Sequence, residues 1–281
     1  MSMEDYISNF KLSQSDTMRF RSIVIDIMSE AASIDETTET GGIGTLGEKQ
    51  MHAAIKSFIC PDKSCHEVML DHEESNGDGE KKTKRRRFVA DILKDGTVYE
   101  IQTGRLAPLH DKIAWILENT DCNIAVIHPI AQTKWVNILD KNNEIEKRYR
   151  SRVKGKISDM ACELYSITDF AASPRFSLVL LLIEAEQYMK NTAKTSRSRP
   201  KFKKYELIPI NLLSAAVFSS LEDYKYFIPD SLKGEFTVKQ YSNESKIRGI
   251  DAYSAVHSLC SMGLLENCGK IGRAAAYRKT F

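Results

Sequence analysis

The 281-residue sequence has no apolar run long enough to span a bilayer; the most apolar stretch, residues 176–183, is strand-sized and is followed by Glu184. Its first residues, MSMEDYISNF, lack the basic region and apolar core of a secretory signal. Both absences predict a soluble, cytoplasmic protein with no membrane partner. Paired cysteines are missing as well: Cys60, Cys65, Cys122, Cys162, Cys260 and Cys268 show no C-x-x-C spacing, which predicts reduced, mostly buried thiols. Cys60, Cys65, His66 and His72 lie close together, but their spacings match no standard zinc site. Net charge is nearly absent at +2, so the total announces no nucleic-acid partner.

The distribution of charge says more than its sum. Basic residues gather in three runs: Lys81 to Arg87, Lys147 to Lys156, and Lys194 to Lys204. Each run alone reads as a solvated loop, and the first also reads as a nuclear import signal; beside a phosphate-processing site they would instead hold phosphates. The chain length fits two modest domains or one large one, and a hydrophobic content of 42% suffices for a buried core.

Hydrophobic periodicity predicts helices from residue 13 or 15 to about 32 and from 46 to 59, the second stopped by Pro61. TTETGGIG, residues 37–44, reads as a loop, and the charged stretch 71–84 as an exposed hairpin loop. Strands are expected at 66–70, on both sides of Asp95-Gly96, at 123–130, at 135–139 and at 176–183, with helices at 105–117 and 157–167. NTAKTSRSRPKFKK, residues 191–204, is the expected linker. These elements give an N-terminal helical segment (1–40), a central domain (41–195) and a C-terminal domain (204–281).

The stretch FVADILKDGTVYEIQTG, residues 88–104, carries the chemistry. Strand alternation puts Glu100 and Gln102 on one face and Tyr99, Ile101 and Thr103 on the other, and a hairpin turning at Asp95-Gly96 brings Asp91 beside Glu100. Two converging carboxylates suit a hard divalent cation and are costly in a passive core. They also fit the plainer reading of exposed residues on an edge hairpin. Glu48, in the first turn of its helix, suits the helix dipole as well as it suits a metal.

Glu48 on a helix, Asp91 on a strand, Glu100-Ile101-Gln102 on the next, then a helix and a strand, resemble the core of the PD-(D/E)XK nuclease superfamily. More narrowly, EIQTG followed by L-x-x-L-x-x-K (Leu106, Leu109, Lys112) and the later SRVKGK resembles a bacterial group with that core; the similarity runs from about residue 44 to 190. The resemblance implies an α/β fold, a restriction endonuclease-like mixed sheet flanked by helices, and a magnesium- or manganese-dependent nuclease that hydrolyses DNA phosphodiesters. By the same resemblance Asp91, Glu100 and the Ile101 carbonyl hold the metal, with Glu48 assisting directly or through water. The lysine of the motif is replaced by Gln102, which can orient water but carries no charge; Lys112, one helix later, would supply that charge. Restriction-like enzymes often pair to cut both strands, so a homodimer is one assembly the resemblance allows. The gap at Gln102 keeps a second reading open: a non-catalytic DNA-binding or regulatory protein retaining a degenerate nuclease fold.

From residue 218 to 281 two short helices and a hairpin, carried mainly by LCSMGLLENCGKIGRAAAYR, resemble a winged helix-turn-helix. That resemblance places Ser254, His257 and Ser258 on the exposed side of a recognition helix and Lys270, Arg273, Arg278 and Lys279 on backbone phosphates. Arg85, Arg86 and Arg87, leading into the Asp91 strand, and Arg152, Lys154 and Lys156 are the further expected DNA contacts. Winged helices also bind proteins, which leaves a protein-interaction module as the third reading.

Overall fold

A computed structural model describes residues 12–35, 46–71, 87–191 and 202–281. The expected loops at 37–44 and 72–84, Arg85, Arg86 and most of the expected linker lie outside these residues. Helices α1 (Gln14–Asp35) and α2 (Leu46–Ile59) are followed by strands β1 (His66–Asp71), β2 (Arg87–Lys94) and β3 (Thr97–Ile101). Helix α3 (His110–Asn119) leads to β4 (Asn123–Leu139), β5 (Ile145–Arg150), β6 (Phe176–Asn191) and β7 (Phe202–Phe218). The tail holds β8 (Phe236–Thr237), α4 (Val238–Ser245), α5 (Ile250–Ser261), β9 (Leu265–Ile271) and β10 (Ala274–Lys279).

The fold is mixed α/β. A seven-stranded sheet has the order β1-β2-β3-β4-β6-β7, with β5 pairing to β4 off that path, and the tail has a three-stranded sheet of order β8-β10-β9. No helix among the described residues is long and apolar enough to cross a membrane. The chain divides into two compact units, one of Met1–Pro61, His128–Ile157 and Leu180–Ala216, the other of Asp62–Ile127, Ser158–Val179 and Val217–Phe281. This division cuts the chain differently from the sequence reading. Strand β7 belongs to the large sheet, and the tail groups with the β1–β3 region.

In the first unit, α1 buries Phe20 and Val24 and α2 buries Met51, Ala54 and Ile55, the i, i+3, i+4 spacing that makes each helix one-sided. Phe20 meets Phe58 edge to face at 5.5 Å between ring centroids, and Arg19 lies over the Phe58 ring at 4.4 Å. In the second unit, Ile92, Val98, Leu106, Ile113, Ile116, Ile124 and Leu164 form the buried core. β2 and β3 join through Asp95 (φ 49°) and Gly96 (φ 70°), two consecutive left-handed residues that match the right-handed twist of a tight hairpin. β3 then pairs in parallel with β4, from Thr97↔Asn123 to Ile101↔Ile127, and α3 makes the connection that parallel strands require.

Several elements depart from their sequence expectations: β7 lies where no strand was expected, and β6 runs on to Asn191. The strands foreseen at 123–130 and 135–139 are one strand, β4. On the side of β4 that carries β3 and β5, Pro129 falls between the two ladders, because β3 is matched only as far as Ile127 and β5 only from Trp135. The basic run after residue 144 is partly β5, a strand whose six side chains are all exposed. The helix foreseen at 157–167 is two 3-10 turns, Ile157–Cys162 and Leu164–Ile167. An α-helix would give the Cys162 carbonyl to the Ser166 amide; instead Ser166 donates to Glu163 O at 3.1 Å, and the Cys162 carbonyl accepts from the Ser254 hydroxyl at 3.3 Å.

Candidate functional site

Asp91 and Glu100 meet across the hairpin as its register requires, the ladder running from Lys94↔Thr97 to Ile92↔Tyr99 just before them. The Asp91 amide donates to Glu100 Oε1 at 3.3 Å, and the Ile101 amide donates to Asp91 Oδ2 at 2.8 Å. Glu100 is buried, its side chain 4% exposed, and it is not left unpaired: Lys112 Nζ lies 2.5 Å from Glu100 Oε2, with only 13% of the lysine side chain exposed. The same ammonium donates to the Val89 carbonyl on β2 at 2.6 Å. Burial pushes the Glu100 carboxyl above the usual glutamate range; the Lys112 charge and hydrogen bond oppose that rise, and the Asp91 charge adds to it.

Lys112 reaches this position because α3 is held at both ends by ionisable side chains. Glu163 Oε2 accepts from the Leu106 amide at 3.0 Å, in the turn that opens the helix. At the other end the Arg175 guanidinium donates to the carbonyls of Thr120 (2.6 Å), Cys122 (3.3 Å) and Leu117. A carboxylate at the N-terminal end and a guanidinium at the C-terminal end complement the helix dipole and satisfy its orphan backbone groups. Neither residue was singled out by sequence, since no local motif marks a partner more than 50 residues away.

Gln102 is used locally. Its amide N–H donates to Ile127 O at 2.9 Å, and its side-chain Nε2 donates to Arg105 O at 2.6 Å. Glu48 lies in the first turn of α2, and its side chain is outside the described residues. Among the described residues no group of three or more His, Cys, Asp or Glu side chains is arranged to hold a metal ion. Asp91 and Glu100 alone form a two-carboxylate set of hard oxygen donors. A carboxylate oxygen accepting one hydrogen bond keeps a lone pair, so the chemistry of the pair fits Mg2+ or Mn2+.

The expected DNA contacts are scattered. Arg87 is exposed at the start of β2, and Arg152, Lys154 and Lys156 are exposed just after β5. Lys270 and Arg273 are exposed about the β9–β10 turn at Gly272. On α5, Ser254 is half-buried and bonded to the Cys162 carbonyl, and the exposed His257 ring lies 5.8 Å from that of Tyr165. Ser258, expected to face solvent, is instead fully buried and donates to Ser254 O at 2.9 Å, because Ala255, Val256 and Leu259 turn that side of α5 inward.

A family profile described as "Domain of unknown function (DUF8091)" matches residues 49–219. The chain belongs to this family. The matched span takes in Asp91, Glu100, Lys112, Glu163 and Arg175 and ends before α4, α5 and the β9–β10 hairpin. An uncharacterized protein of Treponema pallidum (strain Nichols) is 24% identical over 249 residues, covering 84% of this chain and 87% of that protein. No solved structure matches.

Proposed function

We propose that the protein is a metal-dependent nuclease that hydrolyses DNA phosphodiesters at the Asp91–Glu100–Lys112 site, with the C-terminal winged-helix-like tail assisting DNA binding. The observation that carries this reading is the placement of Lys112. A helix lysine contacts the second carboxylate of the hairpin, so a fixed positive charge stands where Gln102 has none to offer. The order of elements also supports it: a helix, three antiparallel strands, then a helix leading to a strand parallel to the third.

Asp91 and Glu100 would hold Mg2+ or Mn2+, with the Ile101 carbonyl beside them. The ion would supply Lewis-acid polarisation of the scissile phosphate and acidification of a water. Lys112 contributes a preorganised charge, fixed by Val89 O and Glu100, that costs no reorganisation when negative charge develops on the substrate. The Asp91 carboxylate is aligned by the Ile101 amide, and the buried hairpin restricts water around Glu100.

The test is magnesium- or manganese-dependent cleavage of linear, nicked and single-stranded DNA by wild type, Asp91→Ala and Lys112→Ala. Loss of activity on the order of 10²-fold or more in each variant is expected. Identical behaviour of wild type and Asp91→Ala on every substrate would sink the catalytic claim. One observation favours the second reading, a non-catalytic DNA-binding protein: Gln102 Nε2 is already bonded to Arg105 O, so the motif's third residue is spent on a turn. Salt-dependent DNA binding with no calorimetric magnesium binding is the outcome that supports it.

A further inference from the structure

The first compact unit carries a concentration of positive charge that the nuclease site does not use. From Arg148 to Lys156 every second residue is basic (Arg148, Arg150, Arg152, Lys154, Lys156), and no carboxylate intervenes. The structure sorts this run in two. Arg148 is committed: its guanidinium lies 2.6 Å from Glu186 Oε1 and 4.9 Å from the centroid of the Trp135 ring. Arg150 spends one nitrogen on the Thr133 hydroxyl at 3.4 Å and otherwise faces solvent.

Beyond Arg150 the backbone keeps running beside β4. The Ser151 amide donates to Lys134 O at 2.8 Å and the Gly155 amide to Ala131 O at 3.0 Å. Gly155 makes the second bond possible: a Cβ there would lie 2.7 Å from Ile130 Cγ2 and 2.9 Å from Ala131 O. The segment is thus pinned, with Arg152 and Lys154 exposed on it. Lys134, on β4 where the segment starts, alternates with Thr133 and Trp135 and so lies on the opposite face from Arg150; it is half-buried, and its ammonium is pushed below the usual lysine range by burial and by the charge of Lys204. Lys203 and Lys204 open β7 and are exposed. Among the described residues no carboxylate makes an ion pair with Lys134, Arg150, Arg152, Lys154, Lys203 or Lys204, whereas Arg19, Lys112, Arg148, Lys225 and Arg278 each have one.

Three exposed cations on one pinned stretch of backbone, none of them ion-paired among the described residues, favour a polyanion whose own charges repeat. An extended chain spaces alternate residues about 6.6 Å apart, a step that suits successive phosphates better than a single small anion. We propose that Arg150, Arg152 and Lys154 form a phosphate-tracking surface that holds the backbone of DNA without reading its sequence. The inference rests on the nuclease reading only for the identity of the polyanion, and none of its residues belongs to the tail. Binding through phosphate oxygens is driven largely by counterion release and falls steeply with salt.

The experiment measures binding of the full chain to a fluorescent duplex, in EDTA so that no cleavage occurs, over a range of salt. Wild type is compared with the triple variant Arg150→Gln/Arg152→Gln/Lys154→Gln and with Lys154→Arg. Affinity of the Gln variant is expected to fall tenfold or more near 0.1 M salt, and the slope of log K on log salt to shrink by about 0.9 for each phosphate no longer neutralised, on unrelated sequences alike. The Arg variant should bind as wild type does. A Gln variant that keeps the wild-type affinity and slope overturns the inference, as does equal loss in the Arg variant, which would mark a folding defect. Preferential loss of binding to phosphatidylserine vesicles, with DNA binding intact, overturns it in favour of a membrane surface. Asp91-dependent cleavage with an unchanged salt slope would remove this surface alone; a changed slope without any cleavage would remove the nuclease reading alone.

Discussion

Lys112 and Lys134 are both withdrawn from water, and the molecule treats them in opposite ways. Lys112 is held by a carboxylate and a carbonyl, on a helix clamped at both ends, and serves a single buried partner. Lys134 has a second lysine for a neighbour, and the cations around it are exposed. A buried charge is tolerated when a fixed opposite charge and hydrogen bonds replace its water. A cluster of like charges is tolerated only where solvent and counterions still reach it. The first arrangement suits chemistry at one atom; the second suits a partner that brings many negative charges.

The contrast is broken most severely at Lys112. Lys112→Met leaves Glu100 buried with no cation, and breaking one side of such a pair costs about 3–5 kcal/mol. Urea denaturation should show that loss, and Lys112→Met/Glu100→Leu should recover most of it while remaining inactive. If Lys112→Met is as stable as wild type, the pair contributes nothing to the fold and Glu100 is better solvated than its 4% exposure indicates.

The next effect concerns the clamp that aims Lys112. Arg175→Ala strips the carbonyls of Leu117, Thr120 and Cys122 of their donor at the C-terminal end of α3. Hydrogen bonds from a charged donor are worth more than neutral ones, so a loss of about 2–3 kcal/mol is expected by denaturation. Arg175→Lys should recover only part of it, because one ammonium cannot reproduce a planar fork spread over three acceptors. Full recovery by lysine would show that the charge, and not the geometry, holds the helix end.

What the sequence made legible follows the same divide. The Asp91–Glu100 juxtaposition follows from alternation and from the Asp95-Gly96 turn, both local, and the structure has it. The contact of Lys112 with Glu100 was not readable, because it depends on the rotation of α3, and that is set by Glu163 and Arg175 from a later segment. β5 was missed because IEKRYR lacks the apolar alternation and β-branched content that mark strands; edge strands carry such charges as protection against pairing. The 3-10 turns at 157–167 were missed because their apolar spacing does not separate a 3-10 turn from an α-helix; there the Ser166 amide closes on Glu163 O, three residues back. Sequence pattern carries what neighbours along the chain dictate, whereas the rotation of α3 depends on partners far along it.

The smallest expected effect lies at the Lys134–Lys204 pair, and its sign separates the two lysines. A lysine whose pKa is lowered on folding binds protons less tightly in the native state, which costs stability wherever both states are charged; the cost fades as pH climbs through the window just below the ordinary lysine value. Lys204→Gln removes one of the two causes of that lowering. The variant should therefore be slightly more stable than wild type at neutral pH and low salt, with the gap closing as pH rises toward the lysine range and closing again as salt screens the pair. Chemical denaturation across pH and salt reads this directly. A variant less stable than wild type at neutral pH would mean that Lys204 supports Lys134 by packing rather than opposing it by charge.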